Sequence, residues 1–533
     1  MFNTKYIFIT GGVVSGLGKG ITAASLGRLL VNRGLSVIIQ KLDPYLNLDP
    51  GTMNPLEHGE VFVTDDGAET DLDIGHYERF LGRSLSKKSS VTMGQIYQNT
   101  INKERKGDFL GKTIQVVPHV TNEIKNTMRG VADGNDIVIV EIGGTVGDLE
   151  STALIEAIRQ FRRELGNGNS LSIHVTLVPY LNCSNEIKTL PTRHSVNRLS
   201  EMGVFPDIVV CRTNGDVLID KAARDKIAMF CSLDSPQDVI HNHDCSSIYE
   251  VPVVLKKQKL DDIVLEKLGL TAPAGNLNDW KNMVIKLLSI MPLQRTIAIV
   301  GKYLCQDAYL SVIESIKHAG AKCGVGIKIK LISCEDLDAL SDVDGIIVPG
   351  GFGSRGVEGK IAAIKYAREN NIPFLGICLG MQMAVVEFAR NVLGLKEAHS
   401  TEMTASPYPV IDLMESQKNV KNKGGTMRLG LYDCTLKKGT RSAKLYNSEN
   451  IKERHRHRYE FNNKYREDLE KAGLVISGVN KELDLVEIIE LKDHPYFVAC
   501  QFHPELVSRP YSPHPLFVGL VNATKEINKE NKK

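Results

Sequence analysis

The sequence predicts an α/β protein built from two domains in succession. With 533 residues, the chain is too long for a single hydrophobic core. Short, uninterrupted apolar runs alternate with helical patterns, which is typical of strands buried on both faces of a parallel sheet. This series of runs breaks once and then resumes. We therefore expect a P-loop-like, mostly parallel, doubly wound sheet, followed by a second α/β domain.

The strands of the first domain fall in the N-terminal half. They are predicted at 5–12, 35–43, 136–144, 171–179 and 207–213, with helices such as 19–33 and 150–165 between them. A stretch of Pro, Gly and Asn at 270–280 interrupts the series, and one amphipathic helix follows it. The second series is predicted at 295–301, 326–333, 344–351 and 372–377. The sequence therefore predicts domains at 1–270 and 295–533, with a linker helix in 271–294.

Composition narrows the class of protein. A net charge of +2 gives no general attraction to nucleic acid or anionic membranes, and no apolar stretch reaches the ~20 residues of a membrane span. The ten cysteines contain no CxxC pair, which argues against a zinc site and a disulfide framework. The N-terminal run indicates a first strand rather than a signal peptide. We expect a cytoplasmic protein that binds neither nucleic acid nor membrane.

A glycine-rich turn, GGVVSGLGKG at 11–20, lies between a predicted strand and a predicted helix. Glycines let backbone N–H groups converge on an anion, and Lys19 adds a full charge. The turn departs from the GxxxxGK[ST] pattern because Gly20 replaces the hydroxyl residue that holds Mg²⁺. Asp73 and Glu141 could supply the missing metal ligand, and Lys41 could reach a transferring phosphoryl group. The alternatives are a closely packed turn and solvated loop acids.

A cysteine occupies a second turn of the same kind, GICLG at 376–380. This is the sulfur version of a GxSxG nucleophile elbow, in which a sharp strand-to-helix turn exposes Cys378 and the helix N-terminus favours its thiolate. The alternative is a buried structural cysteine. His503 and Glu505, in QFHPE, could serve as the base and its orienting acid. The N–H groups of Gly351 and Leu379 are the candidates for an oxyanion hole, so acyl transfer through a thioester is predicted.

These motifs resemble known families. VPGGFG, GICLGMQ and QFHPE are similar to the class I glutamine amidotransferases, and the resemblance of the whole chain is to the CTP synthase family. That likeness runs from about residue 3 to 525 and includes VEIGGTVGDLES and ERHRHRYE. It implies a ligase of pyrimidine nucleotide biosynthesis that forms a C–N bond. Mg-ATP would phosphorylate O4 of UTP, and ammonia from glutamine, hydrolysed at a Cys-His-Glu triad, would displace the phosphate to give CTP.

The resemblance also implies ligand contacts in the first domain. The expected ATP and metal contacts are Gly16, Leu17, Gly18, Lys19, Gly20, Ile21, Asp73, Glu141, Arg212, His243, Asp244 and Cys245. The expected UTP and CTP contacts are Ser15, Asp148, Leu149, Glu150, Lys188, Thr189, Leu190, Pro191, Thr192, Arg193 and Lys226. The family often reads KTKPTQ at 188–193, whereas this chain has Leu190 and Arg193, which shifts a cation within the segment.

For the second domain, the resemblance implies glutamine contacts at Gly351, Leu379, Gly380, Met381, Gln382, Glu402 and Arg458. It places His58 near the gate of an ammonia passage and makes 416–426 a mobile lid. GTP is implied as an activator, with Lys302, Thr426 and Arg428 as candidate contacts, and CTP as a feedback inhibitor of a homotetramer. Two alternatives stay open: another ammonia-using ligase, such as a cobyrinic-acid-type amidase, and a non-catalytic assembly protein.

Overall fold

The computed structural model describes residues 4–215, 217–414, 417 and 424–527. Its internal contacts divide the chain into two compact units. The first unit comprises Met1–Asp49 and Asp73–Val284, and the second comprises Pro50–Leu72 and Ile285–Lys533. Packing therefore assigns residues 50–72 to the second unit, whereas the sequence-based division left them in the first. The boundaries at 270 and 294 stay a prediction.

The first unit is built on a parallel sheet of seven strands. Numbered in chain order over the whole protein, they are β1 (Lys5–Gly11), β2 (Val37–Asp43), β5 (Ser90–Thr92), β6 (Ile137–Ile142), β7 (Ser170–Leu177), β10 (Ile208–Thr213) and β11 (Val239–His243). Their order across the sheet is β11-β10-β7-β1-β6-β2-β5. The predicted strands are confirmed. The edge strands β5 and β11 were not predicted because one is very short and the other reads VIHNH.

Helices cover this sheet, and a small hairpin lies outside it. The helices are α1 (Lys19–Val31), α3 (Asp73–Leu81), α4 (Met93–Lys106), α5 (Thr121–Arg129), α6 (Thr152–Leu165), α7 (Leu190–Glu201), α8 (Lys221–Phe230), α9 (Val251–Lys257), α10 (Leu260–Lys267) and α11 (Asn278–Leu288). The hairpin pairs β8 (Tyr180–Leu181) with β9 (Glu186–Ile187). The strands next to β1 are β6 and β7, so the loops after these three strands emerge side by side.

The second unit has a mixed sheet of nine strands. They are β12 (Gln294–Gly301), β13 (Gly326–Ser333), β14 (Gly345–Val348), β15 (Phe374–Ile377), β18 (Arg428–Leu436), β19 (Asn450–His457), β21 (Leu474–Asn480), β22 (Leu485–Leu491) and β23 (Phe497–Cys500). Their order is β13-β12-β14-β15-β23-β22-β21-β18-β19. Pairing is parallel from β13 to β23 and antiparallel from β23 to β19.

The remaining elements of this unit surround that sheet. The helices are α2 (Pro55–His58), α12 (Leu310–Cys323), α13 (Val357–Glu369), α14 (Leu379–Asn391), α15 (Arg441–Tyr446), α16 (Arg466–Lys471) and α17 (Pro515–Lys525). Two small sheets contain β3 (Phe62–Val63) with β4 (Glu69–Thr70), and β16 (Ala398–Ser400), β17 (Tyr408–Leu413) and β20 (Tyr459–Phe461).

Ion pairs attach segment 50–72 to strand β19. Arg454 and Arg456 alternate with histidines along this strand, so both arginines point to the same face. Arg454 Nη2 lies 2.6 Å from Asp65 Oδ1, and Arg456 Nε lies 2.8 Å from Glu69 Oε1. Because Arg454 is fully buried, its charge depends on Asp65 for compensation. The run RHRHR is therefore an internal anchor for a segment far away in sequence.

Candidate active sites

The glycine-rich turn of the first unit connects β1 to α1. Gly16 and Gly18 adopt left-handed backbone angles, with φ of 70° and 89°, which glycine tolerates without steric cost. The Lys19 side chain lies across Gly11, where an added Cβ would be 2.6 Å from Lys19 Cδ. Lys19 Nζ donates to the carbonyl of Gly144, 2.6 Å away, in the turn after β6. The turn therefore presents an ammonium group and backbone N–H groups together.

Residues predicted to bind the ATP phosphates and the metal line one cavity. It contains residues 15–21, Lys41, Asp73 and Glu141. Asp43, Gly143 and Gly144 also line it, although the sequence did not single them out. They were missed because they are recognisable only once β2 and β6 are paired. The cavity lies at the carboxyl ends of β1, β2 and β6, where doubly wound sheets bind ligands.

The position of Asp73 explains why residue 20 is glycine. A Cβ on Gly20 would lie 2.6 Å from Asp73 Oδ1, so the carboxylate occupies the space of the serine or threonine side chain usual at this position. Because Asp73 and Glu141 line the same cavity, they offer the hard oxygen ligands that suit Mg²⁺. Within the described parts of the chain, no group of three or more His, Cys, Asp or Glu residues could hold a metal alone. The donor set therefore fits Mg²⁺ that is shared with phosphate oxygens.

The two carboxylates differ in proton affinity. Burial acts to raise the pKa of Asp73, but the positive charges around it, above all Lys41 at 2.5 Å, bring that pKa below its ordinary value. Burial raises the pKa of Glu141, whose carboxylate accepts a hydrogen bond from the Tyr77 hydroxyl. Lys41 thus neutralises Asp73 and keeps an ammonium inside the cavity.

The predicted adenine contacts assemble beside this turn. Arg212 donates to the carbonyls of Asn242 and His243, at 3.2 and 3.0 Å, and to Asp244 Oδ1 at 2.5 Å. Its Nε lies 3.9 Å from the position of a Cβ on Gly18, so the guanidinium borders the glycine-rich turn at 11–20, here called the phosphate loop. Cys245 follows, with its Sγ 3.6 Å from the His243 carbonyl.

The predicted UTP contacts lie in four separate segments of the first unit. Leu190 begins α7 and is half exposed, and the Arg193 guanidinium lies over the Phe230 ring at 5.2 Å. A Cβ on Gly12 would lie 1.7 Å from Ser195 Oγ, so α7 packs directly against the phosphate loop. Lys188, Thr189, Pro191 and Thr192 lie beside Leu190 and Arg193, and Lys226 lies on α8. Ser15 lies in the loop before α1, and Asp148, Leu149 and Glu150 lie at the 3₁₀ turn before α6.

The cysteine turn of the second unit is a strained elbow between β15 and α14. Cys378 has φ of 52°, unusual for a residue with a side chain, and it is 2% exposed. A Cβ on Gly380 would lie 2.0 Å from the Val348 carbonyl oxygen, and one on Gly376 would lie 2.8 Å from the Ala499 Cβ. Both glycines are therefore needed for this turn to form.

His503 and Glu505 form the predicted pair with Cys378. His503 Nδ1 lies 2.7 Å from Glu505 Oε1, and Nε2 has no nitrogen or oxygen partner among the described residues, which leaves it for the thiol. Burial opposes protonation of His503, but the interactions with Glu505 and Cys378 outweigh it and raise the pKa of His503 to about 10. The site thus favours the protonated, imidazolium form of His503.

The predicted oxyanion hole lies beside this pair. A Cβ on Gly350 would lie 2.8 Å from His503 Cε1, so only glycine fits there, and one on Gly351 would lie 3.5 Å from Leu379 Cδ2. Leu379 begins α14, so its N–H is one of the helix's unpaired terminal donors. The Leu379 side chain therefore lies against Gly351, and the N–H groups of these two residues stay the candidates for the oxyanion hole.

The predicted glutamine contacts differ in what they offer. Glu402 Oε1 accepts a hydrogen bond from the N–H of Gly353 at 2.9 Å. This contact ties Glu402 to the loop that follows β14 and contains Gly351, here called the oxyanion loop. Arg458 donates to Gln417 Oε1 at 2.6 Å and to Thr426 Oγ1 at 2.9 Å. The other predicted contacts, all buried at the start of α14, are Gly380, Met381 and Gln382.

Segment 50–72 supplies part of the wall around the nucleophile. Gly51, Met53, Pro55, Glu60 and Val61 line one cavity together with the triad. Sequence reasoning missed this role because the ion pairs that hold the segment join residues nearly 400 positions apart. His58 ends α2 and is exposed, and its place at an ammonia passage stays a prediction.

One of the GTP candidates is corrected by the structure. Arg428 is buried and pairs with Glu487 at 2.7 Å and Glu460 at 3.1 Å, so it is a structural cation of the core. Lys302 Nζ donates to the Phe352 carbonyl at 2.6 Å, on the oxyanion loop. Most of the predicted lid, residues 416 and 418–423, lies outside the described residues.

Comparisons with known proteins match both halves of the chain. A family model described as CTP synthase N-terminus matches residues 5–270, and one described as glutamine amidotransferase class-I matches residues 304–523. A CTP synthase of Moorella thermoacetica is 58% identical over 528 residues, 97% of this chain and 98% of that protein. The CTP synthase of Bacillus subtilis is 56% identical over 533 residues, 98% of this chain and 99% of that protein.

A solved structure also matches part of the chain. It is described as the glutaminase domain of Trypanosoma brucei CTPS with bound acivicin, and it is 41% identical, with a TM-score of 0.42, over 44% of this chain and 95% of that one. Among the helices of the described residues, none has the length and apolar character to cross a membrane. The full-length relatives and the two matched family models show that the chain belongs to the CTP synthase family.

Proposed function

We propose that the two cavities of this chain divide the CTP synthase reaction between them. The reaction of the family is the ATP-dependent amination of UTP at C4, with glutamine as the nitrogen source. The observation that supports the assignment in the second unit is the strained turn at Cys378, a residue that lines one cavity together with the hydrogen-bonded pair of His503 and Glu505. The full-length CTP synthase relatives disfavour both a different amidoligase and a non-catalytic assembly protein.

In the second unit, the Cys378 sulfur attacks the carboxamide carbon of glutamine. The N–H groups of Gly351 and Leu379 stabilise the oxyanion, and His503 donates its proton to the leaving ammonia. Glu505 orients His503 and holds its charge. Water then cleaves the thioester to give glutamate and regenerate the thiol.

In the first unit, ATP phosphorylates O4 of UTP, and ammonia displaces the phosphate. The backbone of residues 15–21 and the Lys19 ammonium hold the phosphates, and Lys41 neutralises charge on the transferring group. Asp73 and Glu141 would hold Mg²⁺, which supplies charge neutralisation at the phosphate oxygens when bound. Arg212 would stack on adenine, and the segments around 148–150 and 188–193 would hold UTP and the inhibitor CTP.

The regulatory and cellular proposals concern GTP, self-association and location. GTP activation follows from the family alone, with Lys302 as the accessible candidate. Self-association into a homotetramer likewise follows from the family. A cytoplasmic location is supported by the cysteines, all ten of which are unpaired.

Two substitutions test the division of labour. Cys378→Ala should abolish CTP formation from glutamine and leave CTP formation from ammonium chloride intact, whereas Lys19→Ala should abolish both and leave glutamine hydrolysis measurable. Cys434→Ala, which removes another buried cysteine of the second unit, is the matched control and should keep all activities. Loss of ammonia-dependent synthesis in Cys378→Ala, or CTP formation by Lys19→Ala, would overturn the assignment.

A further inference from the structure

The Cys378 sulfur has a polar neighbour that the triad does not include. Gln501 Nε2 lies 3.7 Å from Cys378 Sγ, and the Gln501 side chain is fully buried. Gln501 directly follows β23 and lies two residues before His503, and its N–H donates to the Glu487 carbonyl at 2.9 Å. This backbone hydrogen bond holds the main chain of Gln501 next to β22.

A second glutamine determines which end of the Gln501 amide meets the sulfur. Gln382 Nε2 lies 3.0 Å from the Tyr459 carbonyl oxygen, which can only accept a hydrogen bond, so the nitrogen of Gln382 must be at that end. The same nitrogen lies 3.3 Å from Gln501 Oε1. Gln501 therefore turns its oxygen towards Gln382 and its NH₂ group towards Cys378.

The direction of this hydrogen bond matters for the charge on sulfur. Cys378 Sγ also lies 3.8 Å from the Arg456 carbonyl, an acceptor that favours the protonated thiol. An N–H aimed at sulfur favours the thiolate instead, because a donor stabilises the charged form of its acceptor. Gln501 therefore offsets the carbonyl and supports transfer of the thiol proton to His503.

We propose that Gln501 is a catalytic residue of glutamine hydrolysis, which donates a hydrogen bond to the Cys378 thiolate, and that Gln382 is a positioning residue that orients the Gln501 amide. The inference rests on the proposed thioester route. As the S–C bond forms and the C–N bond breaks, the proton from sulfur moves through His503 to the leaving ammonia. Both N–H groups of Gln382 are used inside the protein, so Gln382 can meet substrate only through Oε1.

The test uses the full-length protein with Gln501→Met, which keeps the length of the side chain but removes the donor. Glutamine hydrolysis should lose about tenfold in kcat/KM, as expected for a hydrogen bond to a charged group. Carboxamidomethylation of Cys378 by iodoacetamide, followed by mass spectrometry across pH, should move its midpoint upward by about one pH unit. Synthesis of CTP from ammonium chloride should be unchanged, and Gln501→Glu should lose more hydrolysis than Gln501→Met because it places a negative charge against the sulfur.

An unchanged kcat/KM and alkylation profile in Gln501→Met would overturn the proposal. If Gln501→Met also loses ammonia-dependent synthesis, the alkylation profile of Gln382→Met decides: an upward midpoint supports the proposal and a wild-type midpoint refutes it. Cys378→Ala separates the two levels of inference. Retained glutamine-dependent synthesis in that variant would overturn the proposed function, whereas its loss, with wild-type behaviour of Gln501→Met, would overturn only the role of Gln501.

Discussion

Replacing the buried Lys360 by methionine should stabilise the protein. Lys360 lies on α13 and is 1% exposed, and no hydrogen-bond partner of its Nζ lies in the described part of the chain. Burial, and to a smaller extent the charge of Lys302, lowers the pKa of Lys360 from 10.5 to about 8, against the opposing interactions with Cys334, Cys378 and Glu402. The folded chain therefore binds the Lys360 proton less tightly than the unfolded chain does.

The magnitude follows from that difference in proton affinity. A tenfold change in affinity corresponds to about 1.36 kcal/mol, so the Lys360 charge costs about 3 kcal/mol of unfolding free energy at neutral pH. Because the folded pKa is the lower one, the cost is complete below about pH 8 and disappears as pH rises towards 10.5. At pH 9.5 about 1 kcal/mol remains. Methionine has a similar length and no charge, so it removes this cost.

The assay is urea unfolding of the full-length protein at pH 7 and 9.5. Lys360→Met should raise the unfolding free energy at pH 7, and the gain should shrink to less than half at pH 9.5. Lys365→Met is the matched control on the same helix, because its side chain is 46% exposed and should change stability by less than about 0.5 kcal/mol. A loss of stability at pH 7, or a gain that is independent of pH, would refute the reasoning.

Three further predictions concern the two sites. Gly20→Ala should lower CTP synthesis from either nitrogen source more than tenfold and raise the Mg²⁺ requirement, because the new Cβ displaces Asp73; unchanged Mg²⁺ titration would contradict this. Glu505→Gln should lower kcat for glutamine hydrolysis about a hundredfold or more. The fall of kcat at alkaline pH should begin at a lower pH, because His503 loses the charge that raises its pKa, and an unchanged pH profile would argue against this role of Glu505. Arg454→Met should lower the free energy of unfolding by about 2 kcal/mol and expose residues 50–72 to limited proteolysis. Resistance to proteolysis equal to that of the wild type would rule out the anchoring role of Arg454.

The parallel parts of both sheets could be predicted because their strands are buried on both faces. Strands such as β1 and β6 read as continuous apolar runs, which need no knowledge of their neighbours. Strand β19, in the antiparallel half of the second sheet, escaped prediction because it reads as a charged segment. Its arginines are neutralised by Asp65 and Glu69, and such pairing is invisible before the chain is folded.

The same distinction applies to the sites. The phosphate loop and the cysteine elbow could be predicted because local geometry requires glycines at defined spacings around Lys19 and Cys378. Buried polar neighbours could not be predicted, since their meaning depends on the partner. Gln501 is an ordinary residue in the sequence and gains a role only where its amide meets sulfur, and Lys360 reads as a surface lysine of an amphipathic helix.

The assignment of residues 50–72 to the second unit has a mechanical consequence. Both ends of the segment continue directly into the first unit: the chain enters from Asp49, after β2 with Lys41, and leaves at Asp73, which begins α3. The segment is thus a strap fastened at two points to the phosphate-binding unit, while its middle forms a wall around Cys378. A displacement of that wall must be absorbed within a few residues or transmitted as tension to Asp73.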